Sequence, residues 1–406
     1  MKKILSFLLF LSFTIALYPQ VNENKVGFEL GKGLNIQLDN GMHLFNIGGY
    51  LQMDATYSKY ASEPGENRFG IQRGLFNIGG DYYHDKFGFM LQLDFADPYP
   101  LLDAWMSYKP VKWLKLSAGQ KQSLAGPRSM LYDDQALNLG NRSLVNQTFF
   151  ETGRELGLFV ETRNKLGSVG IDLGVSVTSG DGRNSFGSSS TDFDLGGANY
   201  SARATLYPLG FFTGQNDLRG ADFAREKIVK IALGVGYSYN DGVSNPIGQG
   251  HGDFILYDST GTAAYPDYQK LSVDLLLKYR GFSFLAEYVN AVGNDLQNLY
   301  TAPSTNSKLQ PKQIADYLRL GNGFTVETGY LFKNKWAVDL RYSTVCPEWD
   351  EKNALIEKAS EYTAGISKYI IDNRLKLQLA GTYFDLPEDI TNSHNWQAQF
   401  LVHVVF

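Results

Sequence analysis

The chain has few of the residues on which several classes of protein depend. Its 406 residues include one cysteine, Cys346, so no intramolecular disulfide can form. The five histidines belong to no Ser/His/acid grouping and have no metal-ligand spacing. After Leu17, no stretch approaches the roughly eighteen consecutive apolar residues of a transmembrane helix. We therefore expect no catalytic residues, no cofactor and no metal.

Positive charge is not in excess either. The chain carries 37 Lys and Arg against 42 Asp and Glu, a formal net charge of −5, which makes it a poor candidate for binding nucleic acid. Tyrosine, phenylalanine and glycine are abundant instead, with 25, 26 and 42 residues. Aromatic side chains suit a pleated surface and glycine suits turns, so this composition predicts a β-rich protein.

The first twenty residues have the pattern of an export signal. Lys2 and Lys3 precede an apolar run from Ile4 to Leu17, which predicts a signal peptide over residues 1–20. Residues 21–406 then form a single domain. The alternative is an uncleaved membrane anchor, but the run is shorter than the ~20 residues that span a bilayer.

Apolar residues recur with period two along the rest of the chain. Phe87, Phe89 and Leu91, for example, alternate with small or polar residues, as on a strand with one apolar face. Comparable segments predict about sixteen strands, an even number as expected for a transmembrane barrel. They start near residues 43, 69, 87, 100, 113, 153, 168, 198, 228, 268, 281, 323, 335, 361, 373 and 394.

The connections between these segments alternate between short and long. This alternation places the tight turns at one end of the sheet and the polar loops at the other. One connection, residues 208–227, is long where a short one is expected. We interpret it as an elaborated periplasmic turn.

These patterns predict an all-β fold, a transmembrane antiparallel β-barrel in the outer membrane of a Gram-negative-type bacterium. Short turns face the periplasm and long loops face the outside. A soluble sandwich also alternates, but about sixteen strands would form two domains, and no linker is visible. Closure is required because an open edge in lipid leaves main-chain groups unpaired. Barrels of this size leave an aqueous channel unless a segment plugs it.

The third loop, residues 122–153, is the candidate for narrowing that channel. It is long but carries more apolar residues than a solvated loop tip: Leu124, Met130, Leu131, Leu137, Leu139, Leu144 and Val145. Folding inward against the barrel wall would bury them. The alternative is a cap that packs against other loops outside the barrel.

Several segments carry a family resemblance. Residues 71–122, with Lys86-Phe87-Gly88 and Gly119-Gln120, residues 48–57 (GGYLQMDATY) and residues 373–383 (NRLKLQLAGTY) resemble the phosphate-selective porin O and P family. The resemblance implies a homotrimer of sixteen-stranded barrels in which the third loop constricts the pore and basic wall residues guide anions. The chain departs from the family pattern at Gln72, where a second basic residue is usual, and after Lys121. Both departures reduce the expected basic track.

Basic residues on the less apolar strand faces and in the third loop are candidates for guiding anions. We select Arg73, Lys121, Arg128, Arg142, Arg203 and Arg341. Lumenal bases and acids are nearly balanced, so a local arrangement has to produce any selectivity. The alternative is that these residues only pair with neighbouring carboxylates and hold the loop.

The predicted function is that of a porin, a passive channel for small hydrophilic solutes or ions, among them anions such as phosphate or polyphosphate. The alternatives are a non-conducting barrel that acts as an adhesin or as a platform for a surface complex, and a barrel enzyme. The expected partners are outer-membrane lipid, the barrel-assembly machinery and the permeating solutes.

The chain ends on NWQAQFLVHVVF, which alternates up to the terminal Phe406. In a closed barrel this last strand has to pair with the first, near residues 43–57. By resemblance to other bacterial outer-membrane barrels, Phe406 is also the signal that the assembly machinery recognises.

Overall fold

The computed structural model describes residues 24–60, 64–151, 153–184, 196–386 and 394–406. The predicted signal peptide, residues 1–20, lies outside the described residues. Within the described ranges, no helix is both long and apolar enough to cross a membrane.

The described chain is almost entirely β-structure. The strands are β1 (Lys25–Glu29), β2 (Gly33–Leu38), β3 (His43–Tyr60), β4 (Glu66–Tyr82), β5 (Phe87–Asp94), β6 (Leu101–Val111), β7 (Leu114–Gln122), β8 (Arg154–Leu166), β9 (Val169–Thr178), β10 (Asn199–Tyr207), β11 (Lys230–Asn240), β12 (Asp267–Tyr279), β13 (Phe282–Asn294), β14 (Gly321–Leu331), β15 (Trp336–Pro347), β16 (Ala359–Ile371), β17 (Leu375–Asp385) and β18 (His394–Val405). Helical structure is limited to α1 (Leu144–Phe149) and short 3₁₀ turns, among them Arg128–Leu131, Asp134–Ala136, Thr213–Leu218 and Pro311–Asp316.

Sixteen of these strands, β3 to β18, form a closed antiparallel barrel. Each strand pairs with its neighbour in sequence, and β18 returns to pair with β3 from Val405↔Tyr50 to His394↔Tyr60. The predicted strand number, closure and pairing of the last strand with the first are confirmed. The largest difference in a predicted start is 69 − 66 = 3 residues, at β4.

Side chains alternate between the lumen and the outer surface. On β10, Ser201, Arg203 and Thr205 are buried inside the barrel, whereas the side chains of Tyr200 and Leu206 are exposed on its outer face. This alternation follows from the pleat of the strand. It places polar residues in the lumen and apolar residues toward lipid, as the sequence predicts.

The β1–β2 hairpin was not predicted, and it extends the barrel wall at the periplasmic end. β18 ends where Phe406 exchanges main-chain hydrogen bonds with Gly49, so the first residues of β3 have no partner in β18. β2 pairs with this part of β3, from Leu38↔His43 to Leu34↔Ile47. The hairpin therefore completes the hydrogen bonding beside the barrel seam.

The extracellular loops over β11–β16 form a compact apolar cluster. Val243 and Leu256 come from one loop, Ile314 and Leu318 from the next, and Ile356 from a third. All are buried, and they pack with residues of the third loop. These loops therefore cover the mouth of the barrel on that side.

Deleting Phe406 is expected to lower the amount of folded barrel in the outer membrane, because the deletion removes the last main-chain pair at the seam together with the aromatic ring. Phe406→Ala keeps the main-chain pair and removes only the ring. The heat-dependent shift in gel mobility of the membrane fraction measures the folded barrel. If the ring is the assembly signal, both variants assemble poorly; full assembly of both would contradict the prediction.

Candidate pore and constriction

The third loop leaves the wall after β7, crosses the lumen and returns to β8. It contacts wall strands on the far side of the barrel: Ser129 donates to Glu287 of β13, and Gly140 donates to Gln378 of β17, at 2.7 and 2.8 Å. The Asn146 side chain binds Ser129 at 2.6 Å and ties the two limbs of the loop together. The loop therefore folds into the lumen, as predicted.

Five of the seven apolar residues named above for this loop are buried, in two places, while Leu131 and Leu144 are partly exposed. Leu124, Leu137 and Leu139 lie within the barrel, whereas Met130 and Val145 join the cluster formed by the extracellular loops. The two predicted arrangements, packing on the inner wall and packing against other loops, therefore coexist. A segment held on both faces has little freedom to leave the lumen.

Arg128 and Arg203 share one carboxylate. Arg128 lies 3.0 Å from Asp274 of β12, and the Arg203 guanidinium binds the second oxygen of the same group. Arg203 also donates to the main-chain oxygen of Gly126 at 2.6 Å. All three charged side chains are buried. Both arginines thus hold the beginning of the third loop against the wall.

A second cluster lies where the loop meets β4. Asp134 of the loop is 2.6 Å from Arg73 and 2.5 Å from Arg142. Burial opposes ionisation of Asp134, but Arg142 and Arg73 outweigh it and keep the pKa of this carboxyl well below its ordinary value. Burial raises the pKa of the adjacent Asp133, and the charge of Asp134 adds to the effect. Asp134 therefore stays ionised between two guanidinium groups.

Arg341 of β15 binds the return limb of the loop. It donates to the main-chain oxygen of Asn141 at 2.7 Å and to Glu361 of β16 at 2.6 Å. Glu361 in turn accepts the main-chain N–H of Leu144 at the start of α1, at 2.8 Å. A carboxylate at a helix N-terminus satisfies donors that have no partner within the helix.

Lys121 lies on the wall at the foot of the loop. Its ammonium group is 2.5 Å from Glu161 of β8 and 5.9 Å from the centre of the Trp105 ring. Lys115, lower on the same strand, lies 4.5 Å from the same ring. Two cations of β7 therefore face one aromatic side chain of β6.

Cavities lie on both sides of this layer. The extracellular cavity has a volume of about 720 Å³, and its basic lining residues are Arg68, Arg73, Arg142, Arg154 and Arg341. Acidic groups including Asp94, Asp97, Asp134, Glu151 and Glu361 also line it. The entrance is thus charged with both signs.

On the periplasmic side are two cavities of about 580 and 470 Å³, both lined by Lys109 and Lys115. The larger lies beside the β1–β2 hairpin and Trp105. The smaller lies under the third loop and includes Arg163, which is 3.1 Å from Asp172. The residues that line these two cavities differ from those of the extracellular cavity.

The six predicted residues fall into three groups. Arg73, Arg142 and Arg341 line the extracellular cavity; Arg128 and Arg203 bind Asp274 beside the smaller periplasmic cavity; Lys121 lies on the wall between the two levels. The prediction missed Arg154, which lies 3.4 Å from Asp103 at the extracellular start of β8. A residue at a strand end follows the alternation poorly, so its direction was not evident from the sequence.

Replacing Arg128 with methionine is expected to destabilise the barrel by about 1–3 kcal/mol, because one buried oxygen of Asp274 loses its donor while the other remains bound to Arg203. The temperature at which the folded gel band disappears should fall. Lys335→Met is the matched control, since Lys335 pairs with Asp372 on the surface, where an ion pair contributes at most about 1 kcal/mol. Equal transition temperatures for both variants would contradict the prediction.

Comparison with known proteins finds similarity in structure alone: no protein-family model and no curated sequence matches the chain. The chain is similar to the anion-selective porin from Comamonas acidovorans, with a TM-score of 0.57 and 10% identity over 90% of this chain and 100% of that one. It is similar to the outer membrane channel DcaP of Acinetobacter baumannii, with a TM-score of 0.52 and 12% identity over 90% of this chain and 97% of that one. It is also similar to the trimer form of OmpT, an outer membrane protein of Vibrio cholerae. The TM-score is 0.52 and the identity 9%, over 90% of this chain and 99% of that one. The chain thus has the barrel fold of outer-membrane proteins of Gram-negative bacteria.

Proposed function

We propose that the protein is an outer-membrane porin, a passive channel whose basic wall guides small anions past the third loop. The observation that carries the proposal is the pair of cavities on either side of the loop, each with basic lining residues. A closed barrel of this strand number leaves room for water beside an inward loop. Solutes would cross the remaining lumen without any chemical step.

Basic residues follow β7 and β8 from one cavity toward the other. Arg154 lies at the extracellular start of β8, Lys121 and Lys115 follow on β7, and Arg163 lies near the periplasmic end of β8. Lys121 and Lys115 share the Trp105 ring. Within a low-dielectric wall, such a series of cations attracts anions along one side of the lumen.

The anions that such a channel would favour are oxyanions. Guanidinium groups favour planar, multidentate contacts with oxyanions such as phosphate. Arg73 and Arg142 bind one carboxylate between them, that of Asp134, so this carboxylate does not use up both positive charges. The resemblance to the phosphate-selective porin O and P family supports the same class, which includes phosphate and polyphosphate.

A planar lipid bilayer tests the channel function. The purified protein is expected to produce discrete conductance steps, and the reversal potential across a chloride gradient should have the sign of anion selectivity. Absence of steps from folded protein would favour the alternative, a non-conducting adhesin or platform. A reversal potential near zero or of cationic sign, unchanged by phosphate, would leave a general porin.

Removing one charge tests the basic track, the series formed by Arg154, Lys121, Lys115 and Arg163. Lys115→Gln is expected to shift the reversal potential toward zero, because it removes a lumenal cation beside Trp105. Arg280→Gln is the matched control: it removes one positive charge at an exposed periplasmic turn, where Arg280 lies against Tyr279. Equal shifts for both variants would contradict a role for the track.

We also propose a homotrimer, on the family resemblance and on the trimer form of one structural relative. The mass of the unheated protein in mild detergent measures the assembly. Three chains per particle are expected, and a monomer at all protein concentrations would contradict the proposal.

A further inference from the structure

The long periplasmic connection, which joins Tyr207 of β10 to Lys230 of β11, enters the barrel. Its polar residues Asn216, Asp217, Asp222 and Glu226 are each at most 2% exposed, although a periplasmic turn would normally be solvated. Burial of this many polar groups requires partners. The connection therefore occupies a specific place inside the protein.

The connection binds to the wall across the periplasmic half of the lumen. Phe212 packs with Leu276 of β12 and Leu285 of β13, while Ala221 and Phe223 pack with Tyr369 of β16. Asp222 accepts the main-chain N–H of Gly281 at 2.7 Å. The connection therefore runs along the inner face of the wall that β11–β16 form.

Lys278 of β12 fixes the path of the connection. Its ammonium group donates to the main-chain oxygens of Asn216, Arg219 and Ala221, at 2.6, 2.5 and 2.9 Å. A lysine has three N–H donors, so these bonds use all of them. This lumenal cation is therefore bound to main chain, and it is completely buried.

The connection also contacts the underside of the third loop. The N–H of Gly220 donates to the main-chain oxygen of Ala136 at 2.8 Å, and Arg128 lies 3.5 Å from the main-chain oxygen of Asp217. A Cβ atom on Gly220 would lie 2.4 Å from the side-chain oxygen of Asn138. Loop and connection therefore meet inside the barrel with no space between them.

We infer that the long periplasmic connection is the second half of the constriction: it fills the lumen beneath the third loop, supports that loop, and confines the solute path to the side of β2–β10, where both periplasmic cavities lie. The smaller periplasmic cavity lies on that side, and Gln215, Asp217 and Leu218 of the connection line it. The inference rests on the proposed channel function where it concerns the solute path. The contact between connection and loop stands independently of it.

The variant Lys278→Met tests the inference in the full-length protein. Methionine has a similar length but removes the Lys278 donor from three main-chain oxygens, of which that of Ala221 keeps the N–H of Phe223, so the connection should leave its place. We expect the single-channel conductance to rise by about twofold or more, since a sixteen-stranded barrel with less inside it conducts through a wider lumen. Lys230→Met is the matched control, because Lys230 donates to one oxygen of the same connection, that of Leu209.

Hydrogen exchange of the third loop provides a measurement that does not depend on conduction. Main-chain amides of residues 128–142 should exchange faster in Lys278→Met than in the natural protein and in Lys230→Met. Unchanged exchange and unchanged conductance in folded Lys278→Met would overturn the inference. If the natural protein gives no conductance steps, the proposed function fails, and the exchange rates still decide whether the connection supports the loop.

A second variant covers the case in which Lys278→Met does not fold. Gly220→Val inserts a side chain against Asn138 and should separate loop from connection, with the same rise in exchange and conductance. Gly214→Asn is its control, since a Cβ at Gly214 meets nothing within 4 Å and asparagine tolerates the φ of +55° there. Folded Gly220→Val with the exchange and conductance of this control would overturn the inference.

Discussion

The structure depends on one constraint: every main-chain hydrogen-bonding group in the lipid-embedded wall has to be paired within the wall. Antiparallel pairing of neighbours satisfies all strands except the first and the last, and these satisfy each other. Because β18 ends opposite Gly49, pairing of β3 continues only where β2 takes over. The N-terminal hairpin follows from the same requirement that closes the barrel.

The same requirement governs the interior. The third loop and the long periplasmic connection have little regular structure, so their main-chain groups need donors and acceptors from the wall. Lys278 and Lys376 donate to such oxygens, while Glu287 and Glu361 accept such amides. Much of the charge on the lumenal face therefore holds inward segments in place. The net charge summed over all lumenal side chains is consequently a poor measure of the charge that a solute meets.

The fold was predictable because period two is a local signal, and it fixed both the strands and their inward faces. The β1–β2 hairpin was missed although Leu34, Ile36 and Leu38 alternate with polar residues, because both strands are much shorter than the barrel strands and their role depends on where β18 stops. The interior was predictable only in part. Arg128 was expected in the loop, but its partner Asp274 is 146 residues away, and no local pattern relates the two.

Arginine and carboxylate side chains are unevenly grouped beside the third loop. Asp134 lies between Arg73 and Arg142, and Asp274 lies between Arg128 and Arg203, so each carboxylate is outnumbered by the guanidinium groups bound to it. Among these directly bound groups the bases outnumber the acids two to one, although bases and acids on the wall are nearly balanced. Because Arg128, Arg142 and Arg203 are buried, their charge is screened less than that of surface residues. An approximately neutral wall is therefore compatible with a local excess of positive charge beside the third loop, which the proposed anion preference requires.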